Sequence, residues 1–275
     1  MTAVGVCFLS FLFSINEKGV YSLGNITTSN AKVTYQAIIA KGMTDLWLYC
    51  PEIATLSKCG QFVQVRCEGH VLRRPISICA INKHSIRIVF EVRGEGTKWM
   101  STIKLGDTLD ILGPLGHGFE LGDTSRQAVF VGGGIGVPPL LAASKPFGKN
   151  ATVVLGFRNS DAAILVDDFK ANGATVLLAS DDGSLGFHGL VTVPLAEHLQ
   201  NNHADIFFTC GPNQCLWVLQ RSQKKRRFPV KSHWNSGWAA AWVLVLCVPA
   251  KSKKRMAAGG MRRPANMALW STPTR

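Results

Sequence analysis

Four short stretches carry residue types suited to holding a phosphorylated, planar ligand. The densest is Val131-Gly132-Gly133-Gly134-Ile135-Gly136-Val137-Pro138-Pro139. Glycines let the backbone approach a pyrophosphate closely, and the opening turn of a helix stabilises its negative charge. A proline suits that first turn. The spacing is not GxGxxG, and the plainer alternative is a tight strand-to-helix turn that binds nothing. Arg74-Pro75-Ile76-Ser77 combines a guanidinium that can grip a phosphate with a hydroxyl that can bond the edge of a flavin ring. Taken alone, Arg74 also reads as a solvated surface residue. In Gly94-Glu95-Gly96-Thr97, backbone N–H groups and the Thr97 hydroxyl can hold a second part of a pyrophosphate, the alternative being a plain hairpin. Thr209-Cys210-Gly211-Pro212 puts a thiol where it can sit close to a nicotinamide or a flavin; the bland reading is a buried structural cysteine.

The elements that must position these stretches come in two kinds. Residues 31–122 read as short strands, with period-2 alternation at 61–65 and 86–92. Turn signals recur at Cys59-Gly60, Glu68-Gly69, Asn82-Lys83, Arg93-Gly94 and Gly113-Pro114. Regular short strands of this kind predict a small closed barrel. The pattern then changes. Gln127-Ala128-Val129-Phe130-Val131 is a continuous apolar run, as in a buried parallel strand. Further runs at 151–157, 174–179 and 205–209 alternate with helix-like segments at 138–144, 162–172 and 194–201. This alternation predicts an open parallel α/β sheet, in which ligands collect at the carboxyl ends of the strands. Cys210-Gly211-Pro212 falls at the end of the last such strand.

The chain has 275 residues, 47% of them hydrophobic, which is enough for one large domain or two ordinary ones. Its net charge of +13 is unevenly placed. Residues 221–275 hold 13 Lys and Arg and no Asp or Glu, leaving 17 basic against 17 acidic residues before them. A fold basic throughout, as for nucleic-acid binding, is thereby excluded. If the tail is a genuine basic segment, Lys224-Lys225-Arg226-Arg227 and the basic residues from Lys251 to Arg255 are where nucleic acid would attach. The eight cysteines form no CxxC pair, which points to a reducing cytoplasm rather than a disulfide scaffold. The apolar stretch at 3–15 has no preceding basic residue and is too short to span a bilayer, so neither membrane nor nucleic acid is expected as a partner.

The order of the motifs is informative. RPxS, then GxGT, then GGGxGxxP, then CGP, on a barrel followed by α/β, resembles the ferredoxin reductase-like flavoenzymes. Arg73-Arg74-Pro75-Ile76-Ser77, the glycine run at 132–139 and Ser180-Asp181-Asp182-Gly183-Ser184-Leu185-Gly186 are most similar to the electron-transfer subunits of NAD-dependent dihydroorotate dehydrogenases. That resemblance implies an FAD-binding barrel at 31–123 and an NAD-binding α/β domain at 124–220, after an N-terminal extension at 1–30. By position it implies FAD contacts at Arg74, Pro75, Ile76, Ser77, Phe90, Glu91, Val92, Gly96 and Thr97. It implies a nicotinamide site shaped by Gly132, Gly133, Gly134, Gly136, Cys210, Gly211 and Pro212. It further implies an FMN-containing catalytic subunit as partner and a role in pyrimidine biosynthesis. Another ferredoxin:NAD(P) reductase-type subunit, of a sulfhydrogenase or transhydrogenase, fits the same motifs. Cys59-Gly60 departs mildly from the family, which usually has Pro before that Gly.

The tail departs completely. The family carries a 2Fe–2S cluster on four cysteines after the CGP motif, spaced C-x4-C-x2-C with a fourth further on. Here the only cysteine after Cys215 is Cys247, so these ligands are absent and no metal site is expected. The genetic code offers a reason. When codons are read from the third base of His233, the His233/Trp234 junction must encode Leu and Trp234/Asn235 must encode Glu. Trp238/Ala239 and Trp242/Val243 must both encode Gly. The junctions Ala239/Ala240, Leu244/Val245 and Cys247/Val248 are all able to encode Cys, which restores C-x4-C-x2-C. Pro264/Ala265 can supply the fourth Cys, followed three codons later by a forced Gly, from Ala268, and then a permitted Pro. Residues 221–275 therefore read as an out-of-frame remnant of a cluster domain.

Overall fold

A computed structural model describes residues 26–211, together with backbone strands at 14–15, 21–22 and 242–247. Two-residue strands β1 (Ser14–Ile15) and β2 (Tyr21–Ser22) pair with each other. Then come β3 (Thr27–Ala40), β4 (Met43–Tyr49), α1 (Pro51–Leu56), β5 (Phe62–Val65), β6 (Arg74–Ile81), β7 (Ser85–Glu91), α2 (Glu95–Met100) and β8 (Thr108–Leu115). The six strands β3 to β8 close a barrel in the order β3-β4-β7-β6-β5-β8, every pair antiparallel. Period-2 alternation explains the closure. Leu46, Leu48, Ile76, Ile78, Ile86, Ile88 and Phe90 turn inward and fill the barrel.

The second unit contains β9 (Ala128–Gly133), α3 (Pro138–Ser144), β10 (Ala151–Phe157), α4 (Val166–Ala171), β11 (Thr175–Ser180), β12 (Phe187–His188), α5 (Thr192–Asn201) and β13 (Ile206–Gly211). These strands lie parallel in the order β12-β11-β10-β9-β13. Strand β14 (Trp242–Cys247) adds an antiparallel edge to β13. The chain winds outward from β9 to β12 and then returns to the other side of β9. That reversal opens a crevice at the carboxyl ends of β9 and β13, where ligands bind in sheets of this kind.

The closed barrel and the parallel sheet match the expected fold. Three local readings differ. Gly113-Pro114 is not a turn but lies inside β8, with a cis peptide bond. Glycine is needed there because a Cβ would come within 2.8 Å of Val63 Cγ1. The helix expected over 162–172 is interrupted: a 3-10 turn spans Ser160–Ala162, and α4 begins only at Val166. The break is at Leu165, whose φ of 61° costs a side-chain-bearing residue about 1–2 kcal/mol. Finally, Gly94-Glu95-Gly96-Thr97 opens a helix instead of closing a hairpin.

A single apolar cluster joins the two units. Phe130 and Phe208 stack with ring centroids 4.8 Å apart, and Phe147 meets Phe130 edge-on at 5.6 Å. Met43, Cys79 and Val89, on the outer face of the barrel, belong to the same cluster. Among the described residues, no helix is long and apolar enough to cross a membrane. Phe130→Ala should cost about 3–5 kcal/mol, read as a lower urea midpoint. Because the cluster spans both units, circular dichroism and intrinsic fluorescence should report that loss as one shared transition; two separate transitions would contradict the shared core.

Candidate functional site

On the barrel side the site is built by β6 and the turn into α2. With Ile76 and Ile78 facing inward, Ser77 faces outward, half-buried, on the same face as Cys79. The adjacent arginines Arg73 and Arg74 have different fates. Arg73 forms a fork on Asp110, donating from Nη1 and Nη2 to its two carboxylate oxygens, each at 2.9 Å. This contact holds the Asp110 carboxyl below the usual carboxylate range. Arg74 donates only to the Leu72 carbonyl, at 2.7 Å, and pairs with no carboxylate among the described residues. Its guanidinium lies over Gly96, where a Cβ would come within 2.9 Å of Arg74 Cζ. Glycine at 96 is thus what allows the cation to settle on the first turn of α2.

The Thr97 hydroxyl braces that turn. It accepts from the N–H groups of Arg93 and Gly94 at 2.9 and 3.1 Å and donates to the Gly94 carbonyl at 3.0 Å. First-turn N–H groups of a helix have no partner within the helix, so this loop offers backbone donors beneath Arg74. Phe90 is buried inside the barrel, which leaves its backbone for any outside contact. Glu91 accepts from Arg93 Nε at 2.7 Å, and Val92 donates its N–H to the Gly42 carbonyl at 2.8 Å. Pro75 and Ile76 complete the strand between them, Pro75 opposite Gln64 and Ile76 opposite Val63. An open cleft of about 420 Å³ lies between the β5–β6 connection and α2, lined by Cys67, Gly69, His70, Trp99 and Asp110, among others.

On the sheet side, two motifs interlock. Strand β9 is buried along its length and ends in a 3-10 turn, Gly134–Gly136, that leads into α3. Gly132 packs under α3, where a Cβ would sit 3.0 Å from Leu140 Cδ1. Gly134 has φ 51°, which glycine adopts without strain. Gly136 lies on the end of β13; a Cβ there would come within 2.6 Å of the Cys210 carbonyl carbon and the Gly211 Cα. Gly133 and Gly211 are also apposed, with the Gly133 nitrogen 3.2 Å from a Cβ built on Gly211. The glycine run and Cys210-Gly211 therefore form one backbone surface, although 74 residues separate Gly136 from Cys210.

Cys210 is placed at the expected strand end, but its side chain packs in the shared apolar cluster. Burial pushes its thiol up to about 12, so it is a neutral, apolar wall at ordinary pH. Pro212 lies outside the described residues, as does most of the tail at 221–275. The loop at 180–186 is stapled: Asp182 Oδ1 accepts from Ser184 N and Oγ at 2.9 and 2.6 Å. Ser184 Oγ in turn accepts from Ser160 N at 2.8 Å, tying together the loops that follow β10 and β11.

Sequence reasoning missed two features. The Thr209 hydroxyl is fully buried without a partner among the described residues. An ion-pair cluster of Asp45, Arg87 and Asp168 bridges the barrel and the sheet. Only the placement of Arg87 between the apolar Ile86 and Ile88 hints at it, because its partners are 42 and 81 residues away.

No protein-family model matches the chain. It is 36% identical over 236 residues to the electron transfer subunit of dihydroorotate dehydrogenase B (NAD(+)) from Streptococcus pneumoniae, covering 82% of this chain and 91% of that one. The solved structure of an NADH-dependent reduced ferredoxin-NADP oxidoreductase superposes with a TM-score of 0.63 at 29% identity, covering 73% of each chain. A ferredoxin NADP+ reductase from Neisseria gonorrhoeae superposes with a TM-score of 0.62 at 16% identity, covering 77% of this chain and 95% of that one, which speaks for the fold alone. Likeness of this extent, on a barrel and sheet of the reductase kind, means that the chain belongs to the family of dihydroorotate dehydrogenase B (NAD(+)) electron transfer subunits.

Proposed function

We propose that this chain binds FAD on the outer face of the barrel and NAD at the carboxyl edge of the sheet and exchanges hydride between them; in the family this serves an FMN-containing catalytic partner that oxidises dihydroorotate, and without the cluster this chain is impaired in taking electrons from that partner. The observation that carries the reading is Arg74, a cation without a carboxylate partner among the described residues, seated on the glycine of an open helix turn. A guanidinium with no carboxylate partner, above the first-turn N–H groups of a helix, suits a pyrophosphate. The cleft beside Trp99 is of a size to take the adenosine end of the same ligand.

Bound FAD and NAD supply hydride exchange between flavin N5 and nicotinamide C4. The protein's part is to bind and align. Arg74 and the turn at Gly96-Thr97 hold the flavin's phosphates, and Ser77 offers its hydroxyl to the ring edge. The backbone of Phe90, Glu91 and Val92 lines the same face, beside Pro75 and Ile76. Gly132, Gly133, Gly134 and Gly136, with Cys210 and Gly211, leave room for the nicotinamide and keep water from it, and Pro212 would close that edge. No side chain is needed as acid or base, in keeping with the neutral Cys210 thiol.

A 2Fe–2S cluster does not fit this chain. No group of three His, Cys, Asp or Glu among the described residues could hold a metal, and the sequence has only Cys247 after Cys215. We read residues 221–275 as the family's cluster domain out of frame, so no electron step is drawn through a cluster.

Arg74→Ala should weaken FAD binding about 10- to 100-fold, the equivalent of ~1.4–3 kcal/mol, measured by quenching of flavin fluorescence. Unchanged affinity would remove Arg74 from the site, and a wild-type chain that takes up no FAD would remove the reading. Gly136→Val should leave FAD binding intact and raise the NADH concentration needed for flavin reduction at least about tenfold, because the added carbons strike the β13 backbone. Nucleotide sequence around codon 230, with mass spectrometry of the C-terminal peptides, tests the shifted frame. An intact reading frame confirmed by tail peptides would overturn it.

A further inference from the structure

The flavin-side residues sit on the barrel and the nicotinamide-side residues on the sheet, so the distance between reacting atoms is set by how the two units are held together. Rates of bound reactions fall steeply when partners are displaced by about 1 Å. Met43, Cys79 and Val89 supply apolar contact between the units, but apolar contact has no direction and permits sliding. Directionality comes from Arg87. Its Nε and Nη2 donate to the Asp45 carboxylate at 2.9 and 2.7 Å, and its Nη1 donates to Asp168 Oδ1 at 2.6 Å. Asp45 is on β4 and Arg87 on β7, both in the barrel; Asp168 is on α4, in the other unit. Asp45 is fully buried and Arg87 only 12% exposed, which shields the pairing from solvent.

The local backbone serves the same contact. Leu165, the only described non-glycine residue with a positive φ, starts α4 three residues before Asp168. A planar fork can bind one carboxylate with two donors and a second with the third, which a lysine ammonium cannot reproduce. We infer that Arg87, locked by Asp45 and latched to Asp168, is a positioning residue that sets the alignment of nicotinamide against flavin. The inference rests on the FAD and NAD sites proposed above.

Asp168→Asn is the informative variant. Asp168 is 39% exposed, and Arg87 keeps its Asp45 partner when the latch is weakened, so folding is retained. Asp167→Asn is the control: Asp167 is on the same helix but is 95% exposed and, among the described residues, pairs with Lys170 alone. In the FAD-loaded 275-residue chain, Asp168→Asn should slow flavin reduction by NADH about tenfold and weaken the charge-transfer absorbance between the bound rings. FAD affinity should stay the same, and Asp167→Asn should behave as wild type. In the FAD-free chain, amide exchange across Val166–Ala171 should accelerate several-fold in Asp168→Asn alone. Unchanged rate, absorbance and exchange in Asp168→Asn, or equal effects from Asp167→Asn, would overturn the inference. A wild-type chain without bound FAD would instead count against the proposed function, with amide exchange still reporting on the latch.

Discussion

Strands β4, β6 and β7 have apolar side chains on both faces, and the second face has to be covered. Inward residues such as Leu46, Ile78 and Ile88 close the barrel on itself. Outward residues Met43, Cys79 and Val89 are left over, and only the α/β unit is there to bury them. That one requirement brings Ser77, two residues from Cys79, to the side on which the glycine run of β9 and the end of β13 lie. A barrel with a polar outer face would fold as well, but it would not hold the two units together.

Within that frame, charge separates structure from function. Arg73 and Arg74 are chemically identical neighbours. Arg73, just before β6, reaches across to Asp110, where paired hydrogen bonds satisfy it, while Arg74, the first residue of β6, lies over Gly96 with one carbonyl as partner. Arg87 is a third case, satisfied by two carboxylates from different units. A buried pair of this sort contributes little net stability, because desolvation offsets much of the attraction. Its value is directional: it ties barrel strands β4 and β7 to α4 of the other unit.

The tail shows how far composition can mislead. A net charge of +13 suggests an acidic partner, yet all of it falls beyond residue 220. The neutral remainder holds the barrel and the parallel strands of the sheet, to which β14 of the tail adds an antiparallel edge. Beyond Cys215 the sequence has a single cysteine, Cys247, and without four thiolates no iron–sulfur cluster of the usual kind is held.

The sequence by itself determined the fold class, the order of the two units and the four motifs, because each depends on local properties: period-2 alternation, buried apolar runs and glycine spacing. It failed where local patterns are ambiguous. Gly113-Pro114 has the composition of a turn but sits in β8, since glycine there answers to Val63 across the strand pair. The motif spacing also gives no sign that the Thr97 hydroxyl braces the Gly94 turn. Tertiary structure alone decided that Gly136 rests on the Cys210 backbone, that Cys210 turns its thiol into the core, and that Arg87 joins Asp45 to Asp168. Each of these is a contact between segments tens of residues apart, and nothing in the spacing along the chain encodes which distant carbonyl or carboxylate will be brought within reach.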